Sequence, residues 1–196
     1  MTPRILVFAG SNRTGAYSGK TANVAQRELA LQGAEVTRIS LADYPLPIMD
    51  EDLESERGVP DNATRLARLF HDHDGILIAT PEYNGSMPPL VKNTIDWISR
   101  VNRDGGMPIR PLNGKPVAIC SSSDGHFAGI RSAAHLRAVL THIHMEVVSP
   151  QCSVPNGADA FDDDGNFREE RLRKSMARVC ASLIEHARLF STRVEL

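Results

Sequence analysis

Charge of either sign is almost cancelled in this 196-residue chain, where 22 Lys and Arg face 24 Asp and Glu for a formal net charge of −2. That balance leaves no basic field for nucleic acid to follow and no acidic face for docking onto a cationic protein. Cysteine is scarce. Cys120, Cys152 and Cys180 are odd in number and far apart, without the CxxC spacing of a zinc site or a redox pair, so they read as small buried side chains. Long hydrophobic runs are missing too: the opening residues hold only a short apolar stretch before Ser11-Asn-Arg13. This is too short for a signal sequence or a membrane span, which predicts a cytoplasmic protein with no membrane partner. Aromatic residues make up only 5% of the chain. The GxGxxG dinucleotide fingerprint is absent.

Short Val- and Ile-rich runs alternate with longer helix-like stretches. Ile5–Ala9, Glu35–Ile39, Gly75–Thr80, Pro116–Ser121 and Met145–Ser149 have the pattern of strands. Between and after them, helices are predicted at Ser18–Gln32, Asp61–His71, Pro88–Val101, Gly129–His142 and Asn166–Ser191. Strands apolar on both faces and separated by helices predict parallel pairing with both faces covered, an α/β three-layer, doubly wound arrangement. At 196 residues we expect one domain over 1–196. The stretches Asp43–Pro60 and Asn102–Asn113 have neither period and read as surface loops. Three successive acids at Asp162–Asp164 lack the alternating ligands and closing Glu of a calcium loop, and the Asp-Gly pair reads as a turn.

Two loops follow strand ends, where open α/β sheets hold ligands. The first, Gly10-Ser-Asn-Arg-Thr-Gly-Ala-Tyr-Ser-Gly-Lys-Thr21, is rich in glycine and hydroxyls and enters a helix, a composition suited to phosphate. Arg13 adds fixed positive charge and Lys20 a supporting one. The competing reading is an ordinary turn with Ser18 as helix N-cap. Gly19-Lys20-Thr21 imitates the end of a Walker A loop, but Gly15 and Gly19 enclose three residues where four are needed. The second loop, Pro81-Glu-Tyr-Asn-Gly85, exposes backbone donors and acceptors able to read the edge of a planar heterocycle. Tyr83 could stack on it, and Gly85 could take a positive φ. Glu82 reads as a carboxylate held by loop N–H groups rather than as a general acid. In the following helix Leu90, Val91, Ile95 and Ile98 form the apolar stripe, leaving Trp97 at the helix edge or in a subunit contact.

Gly10-Ser-x-Arg with Ser18, and Pro-Glu-Tyr-Asn-Gly-Ser followed by Leu-Val-Lys-Asn-x-Ile-Asp-Trp, resemble the NADPH-dependent FMN reductase family over nearly the whole chain. The resemblance implies a flavodoxin-like fold, with a five-stranded parallel sheet in the order 2-1-3-4-5. It implies FMN as cofactor, NADPH or NADH as electron donor, and a flavin, quinone or related small molecule as acceptor. Ser11, Arg13, Ser18, Gly19, Lys20 and Thr21 would then bind the FMN phosphate. Pro81, Glu82, Tyr83, Asn84 and Gly85 would edge the isoalloxazine ring, and Ser121 and Ser122 would lie beside it. The family's members imply a homodimer or homotetramer, for which the Pro88–Val101 helix and the Gly129–His142 helix, with Ala133, Ala134, Leu136 and Val139, offer a self-complementary face. With FMN carrying the redox chemistry, no catalytic side chain and no metal is expected. His71-Asp-His-Asp74 and His142-Ile-His144 fall at the sheet's amino-terminal edge, where histidine answers a helix dipole. His126 lies nearer the pocket, as a substrate contact or an exposed turn residue. Cys120 is either a thiol near the flavin or a buried strand residue. Two rival functions stay open: a flavodoxin-like one-electron carrier, and a nucleotide-binding protein suggested by Gly-Lys-Thr.

Overall fold

The computed structural model describes residues 1–191. In chain order the elements are β1 (Arg4–Ala9), α1 (Tyr17–Leu31), β2 (Glu35–Arg38), a 3₁₀ turn (Leu41–Asp43), α2 (Glu51–Arg57), α3 (Asp61–Asp72) and β3 (Gly75–Pro81). They continue with α4 (Pro89–Ser99), β4 (Arg103–Asp104), β5 (Met107–Pro108), β6 (Pro116–Ser122), α5 (Ile130–His142), β7 (Glu146–Val147), β8 (Cys152–Val154) and α6 (Glu170–Ser191). The main sheet runs β2-β1-β3-β6-β7, with β8 also on β6, and every pair in it is parallel. This is the expected flavodoxin-like order.

Alternate residues of each strand feed two separate cores. Ile5, Val7, Leu77 and Ala118 point to one face and pack with α1 and α6 through Ala22, Leu29, Val179 and Leu183. Leu6, Phe8, Ile76, Ile78 and Ile119 point to the other and meet Leu66, Phe70, Ile95 and Leu136 of α3, α4 and α5. A strand buried on both sides has no polar position to spare, which is why these runs are continuously apolar.

Four expectations need correction. The last strand is not one piece: Glu146 and Val147 pair with Pro116 and Val117, while Cys152–Val154 pair with Cys120–Ser122. Pro150 lies in the gap, where it has no amide hydrogen to give a ladder. Asp43–Pro60 is more than loop, because α2 lies within it, capped by Asp50, whose carboxylate accepts from the Asp52 and Leu53 amides. The loop at 102–113 contains the small antiparallel β4–β5 hairpin. Trp97 is wholly buried rather than at an edge, and its indole N–H donates to the Pro47 carbonyl at 2.8 Å.

That last bond belongs to a clamp. Asn93, one turn earlier on α4, accepts from the Met49 amide at 2.7 Å and donates to Pro47 at 2.8 Å. Arg100 binds Glu54 of α2 at 2.8 Å. The Asn-x-x-x-Trp spacing therefore fastens the 44–57 excursion onto α4. On α5, Ala133 and Leu136 are fully buried in the subunit's own core, while Ala134 is exposed and Val139 half-buried.

Of the two histidine pairs, His71, His142 and His144 are exposed and only His73 is built into the fold. His73 is buried between the Leu69 carbonyl and the Thr37 hydroxyl, each 2.7 Å away. Lys115 donates to the His71 and His73 carbonyls at the end of α3, and burial lowers its pKa to about 8. The three cysteines are buried free thiols. Burial pushes the Cys120 thiol well up and the Cys152 thiol to about 11, which makes both poor nucleophiles. The 162–166 turn closes on itself, with the Gly165 amide on the Asp162 carbonyl and the Asn166 amide on the Asp162 carboxylate.

Candidate functional site

The carboxyl ends of β1, β3 and β6 lie side by side and deliver three loops to one crevice. The first leaves β1 at Gly10, whose amide donates to the Ala79 carbonyl at 2.8 Å. A β-carbon on Gly10 would come within 2.5 Å of Val91 Cγ2 and 3.2 Å of Pro81 Cδ, so no larger residue fits between β3 and α4. Beyond it, Arg13 to Ala16 form a turn closed by an amide-to-carbonyl bond of 3.1 Å, with Gly15 at φ 71°. The Ser11 hydroxyl accepts from the Arg13 amide at 3.3 Å.

Helix α1 then starts without a side-chain cap. Ala16 occupies the N-cap position, so Ser18 does not cap but lies inside the first turn. Its hydroxyl is buried, with the residue 1% exposed, and has no hydrogen-bond partner among the described residues. Uncapped first-turn amides carry the positive end of the helix dipole, and a buried hydroxyl without a partner is costly unless a ligand meets it.

The second loop is a tight hairpin. Tyr83 and Ser86 exchange amide-to-carbonyl bonds of 2.9 and 3.0 Å across Asn84 and Gly85, whose φ values are 50° and 78°. Two successive positive φ angles define a type I′ turn, the geometry that Asn-Gly prefers. The turn is held from below by α5: the Ser132 hydroxyl donates to the Pro81 carbonyl at 2.8 Å and also meets Thr80 Oγ1 at 3.0 Å. Ser86 meets His135 at 3.0 Å. The Tyr83 hydroxyl lies 3.4 Å from that of Ser11, joining the two loops, while its ring stays 48% exposed.

Glu82 departs from its expected setting. Its side chain is turned toward α5, where Oε1 accepts from Arg131 Nε at 2.8 Å. Burial opposes its ionisation, yet Arg131 and the first-turn amides of Ser132 and Arg131 outweigh that and hold the carboxyl below its ordinary pKa. Oε1 carries the ion pair, and Oε2 is buried without a hydrogen-bond partner among the described residues.

At the end of β6, ahead of the third loop, Ser121 has spent its hydroxyl on the Ala128 carbonyl and Ser153, at 2.8 and 2.9 Å. The Ser122 hydroxyl, by contrast, is buried and without a partner among the described residues. Of three other expected phosphate groups, two side chains are turned to the protein and one position is open. Thr21 donates back to the Tyr17 carbonyl at 2.9 Å, Lys20 lies over the Phe161 ring at 5.5 Å, and Gly19 has open space where a side chain would be. Arg13 is exposed and rests over the Tyr17 ring at 5.7 Å. His126 is an exposed turn residue edge-on to Phe127.

Two positions escaped the sequence reading. Gly10 was visible as a motif residue but not as a spatial requirement. Gly157, after β8, passes so close to Tyr17 of α1 that a β-carbon would lie 2.5 Å from its ring. No local pattern marks a contact between residues this far apart in the chain.

The family model for NADPH-dependent FMN reductase matches residues 3–159. The chain belongs to that family. Family membership decides for a reductase over a one-electron carrier, with FMN as cofactor and NAD(P)H as electron donor. Among its relatives, a quinone reductase of Escherichia coli K12 is 38% identical over 147 residues, 74% of this chain and 73% of that protein. An NAD(P)H-dependent FMN reductase of Pseudomonas aeruginosa is 32% identical over 182 residues, 92% of each chain. Among solved structures, the flavoenzyme NAD(P)H:(acceptor) oxidoreductase FerB of Paracoccus denitrificans superposes with a TM-score of 0.79 at 26% identity, covering 96% of this chain and 99% of that one. Among the described residues, no helix is long and apolar enough to cross a membrane.

Proposed function

We propose that this FMN reductase passes electrons from NAD(P)H to quinones or related small acceptors through FMN held across the three loops. The observation that carries the site is the buried, unpartnered Ser18 hydroxyl beside an uncapped helix start. A dianionic phosphate answers both, since it accepts from the hydroxyl and complements the dipole. Ser11, Arg13 and Ser18, with the Gly19 amide, form the phosphate cradle, while the Lys20 and Thr21 side chains, engaged by Phe161 and the Tyr17 carbonyl, lie outside it.

Bound FMN supplies the two-electron redox chemistry, so no side chain here has to act as acid, base or nucleophile. The residues bind and orient. Pro81 to Gly85 present the ring edge with the outward amides of a rigid type I′ turn, and those N–H groups stabilise negative charge that develops at the ring carbonyls. Ser122 offers a buried hydroxyl on the neighbouring strand. Tyr83 ties the ring-edge loop to the phosphate loop and leaves its exposed face to a planar substrate. Donor and acceptor use the open face in turn.

The reading rests on relatives as well: the Escherichia coli protein is named a quinone reductase, and one from Burkholderia, 31% identical over 175 residues, a 2-hydroxy-1,4-benzoquinone reductase. Buried free thiols suit a reducing compartment, and we assign the cytoplasm. We assign a homodimer or homotetramer as the assembled state.

Anaerobic titration of the FMN-loaded protein with NADPH or NADH, followed by a benzoquinone, tests the proposal. Bleaching of the flavin spectrum and its return on adding quinone are expected, with parallel initial-rate lines. A protein that fails to bind FMN, or binds it and is not bleached, overturns the reading.

A further inference from the structure

Glu82 belongs to the ring-edge segment, yet its side chain leaves that edge and is only 8% exposed. Arg131 holds it with two nitrogens on one oxygen, Nε at 2.8 Å and Nη2 at 2.5 Å. The guanidinium is fixed a second time by the Phe127 ring, 5.2 Å from its centroid. It also lies directly under the I′ turn, since a β-carbon on Gly85 would sit 3.9 Å from Arg131 Nε. One side chain thus touches the 81–85 turn, the loop that carries Phe127 and the start of α5. A positive and a negative charge lie beneath the amides assigned to the ring, and one carboxylate oxygen is buried without a close donor.

We propose that Glu82 and Arg131 form a positioning pair that holds the 81–85 turn in register and balances the charge at the flavin edge, each member pulling the cofactor's reduction potential in the opposite direction. The inference rests on the placement of the ring given above. Reduction makes the flavin more anionic, so an unbalanced cation nearby favours the reduced form and an unbalanced carboxylate disfavours it. With both present the contributions cancel. A salt bridge that served packing alone would have no such sign.

The test measures the midpoint potential of bound FMN by anaerobic spectroelectrochemistry, together with FMN affinity by fluorescence quenching. Glu82→Gln keeps the shape and removes the negative charge. We expect it to strengthen binding of reduced over oxidised FMN about tenfold, a rise of ~30 mV for a two-electron couple. Arg131→Gln is expected to shift the ratio about tenfold the other way. Arg131→Lys retains the charge but not the planar contact with Phe127, and it is expected to hold the potential near that of the parent while weakening FMN affinity. Potentials that do not move, or that move in the same direction in Glu82→Gln and Arg131→Gln, overturn the inference and leave the proposed function standing. Parent protein that binds no FMN overturns both. Should Arg131→Gln fail to fold by circular dichroism, Glu82→Gln and Arg131→Lys still decide, since a charge role requires the first to rise and the second to stay.

Discussion

Val91 Cγ2 lies 2.5 Å from the point where a β-carbon on Gly10 would sit. The first helical turn of α4 and the start of the phosphate loop are thereby pressed together, and the crevice floor depends on a hydrogen atom where other residues carry a methyl. Gly10→Ala is therefore expected to displace the loop, costing about 1–3 kcal/mol of stability as overpacking does. FMN affinity should fall at least tenfold. Thermal unfolding and fluorescence titration check the two effects, and unchanged FMN affinity would refute the assignment of this loop.

Ser18 separates phosphate binding from fold stability. Its buried hydroxyl has no partner among the described residues, so Ser18→Ala should leave the cofactor-free protein as stable or slightly more so. The same change should weaken FMN binding about tenfold, the worth of one charge-assisted hydrogen bond of about 1.4 kcal/mol. Riboflavin, which lacks the phosphate, should bind both proteins alike. Equal losses for FMN and riboflavin would place the phosphate elsewhere.

Trp97→Phe removes the bond to Pro47 while keeping most of the apolar volume. The Pro47 carbonyl still accepts from Asn93, so the expected cost is about 1–2 kcal/mol in chemical denaturation. FMN affinity should stay within about twofold, because a bond on the far side of α4 does not reach the phosphate loop. A large loss of FMN binding would contradict that separation.

His73 makes the fold sensitive to acid. Its ring is held between a carbonyl, which needs an N–H, and the Thr37 hydroxyl, which can donate to the other nitrogen, and this suits the neutral form. Burial, the largest influence, lowers its pKa below the ordinary value. The unfolded chain thus takes up a proton more readily than the folded one. Stability contributed by this group is complete above about pH 6.5 and declines as pH falls from there through the folded pKa, by at most about 1.4 kcal/mol per pH unit. His73→Asn should flatten the acid side of a melting-temperature profile between pH 7 and 5, and an unaltered slope would count against this account.

Much of the architecture was readable because β1, β3 and β6 are buried on both faces and so carry an unbroken apolar pattern. The same logic failed for α2. Glu-Asp-Leu-Glu-Ser-Glu-Arg has no buried residue, and a helix without an apolar stripe leaves only its cap as a signal, here Asp50 ahead of two acids. The split of the last strand was missed, because the apolar pattern stops at Ser149 and the three residues Cys152–Val154 beyond Pro150 are too few to show a period. At the site, the positive φ of Gly85 was legible, while that of Asn84, and with it the turn type, was not read although Asn-Gly carries it locally. Side-chain direction was not legible. Thr21, Lys20 and Glu82 lie where the loops suggested, but neighbours far along the chain, Phe161 and Arg131 among them, decide where the last two point. The Asn-x-x-x-Trp pattern carried family information without revealing that both residues clamp one strap.

The interruption at Pro150 also bears on how these molecules behave in a crowd. A sheet margin of four residues at β2 and a broken one at β7 and β8 give a neighbouring chain no extended ladder of unpaired amides to copy. The fold thus meets its neighbours with margins too short to seed fibrils, and high concentrations should be tolerated without edge-to-edge aggregation.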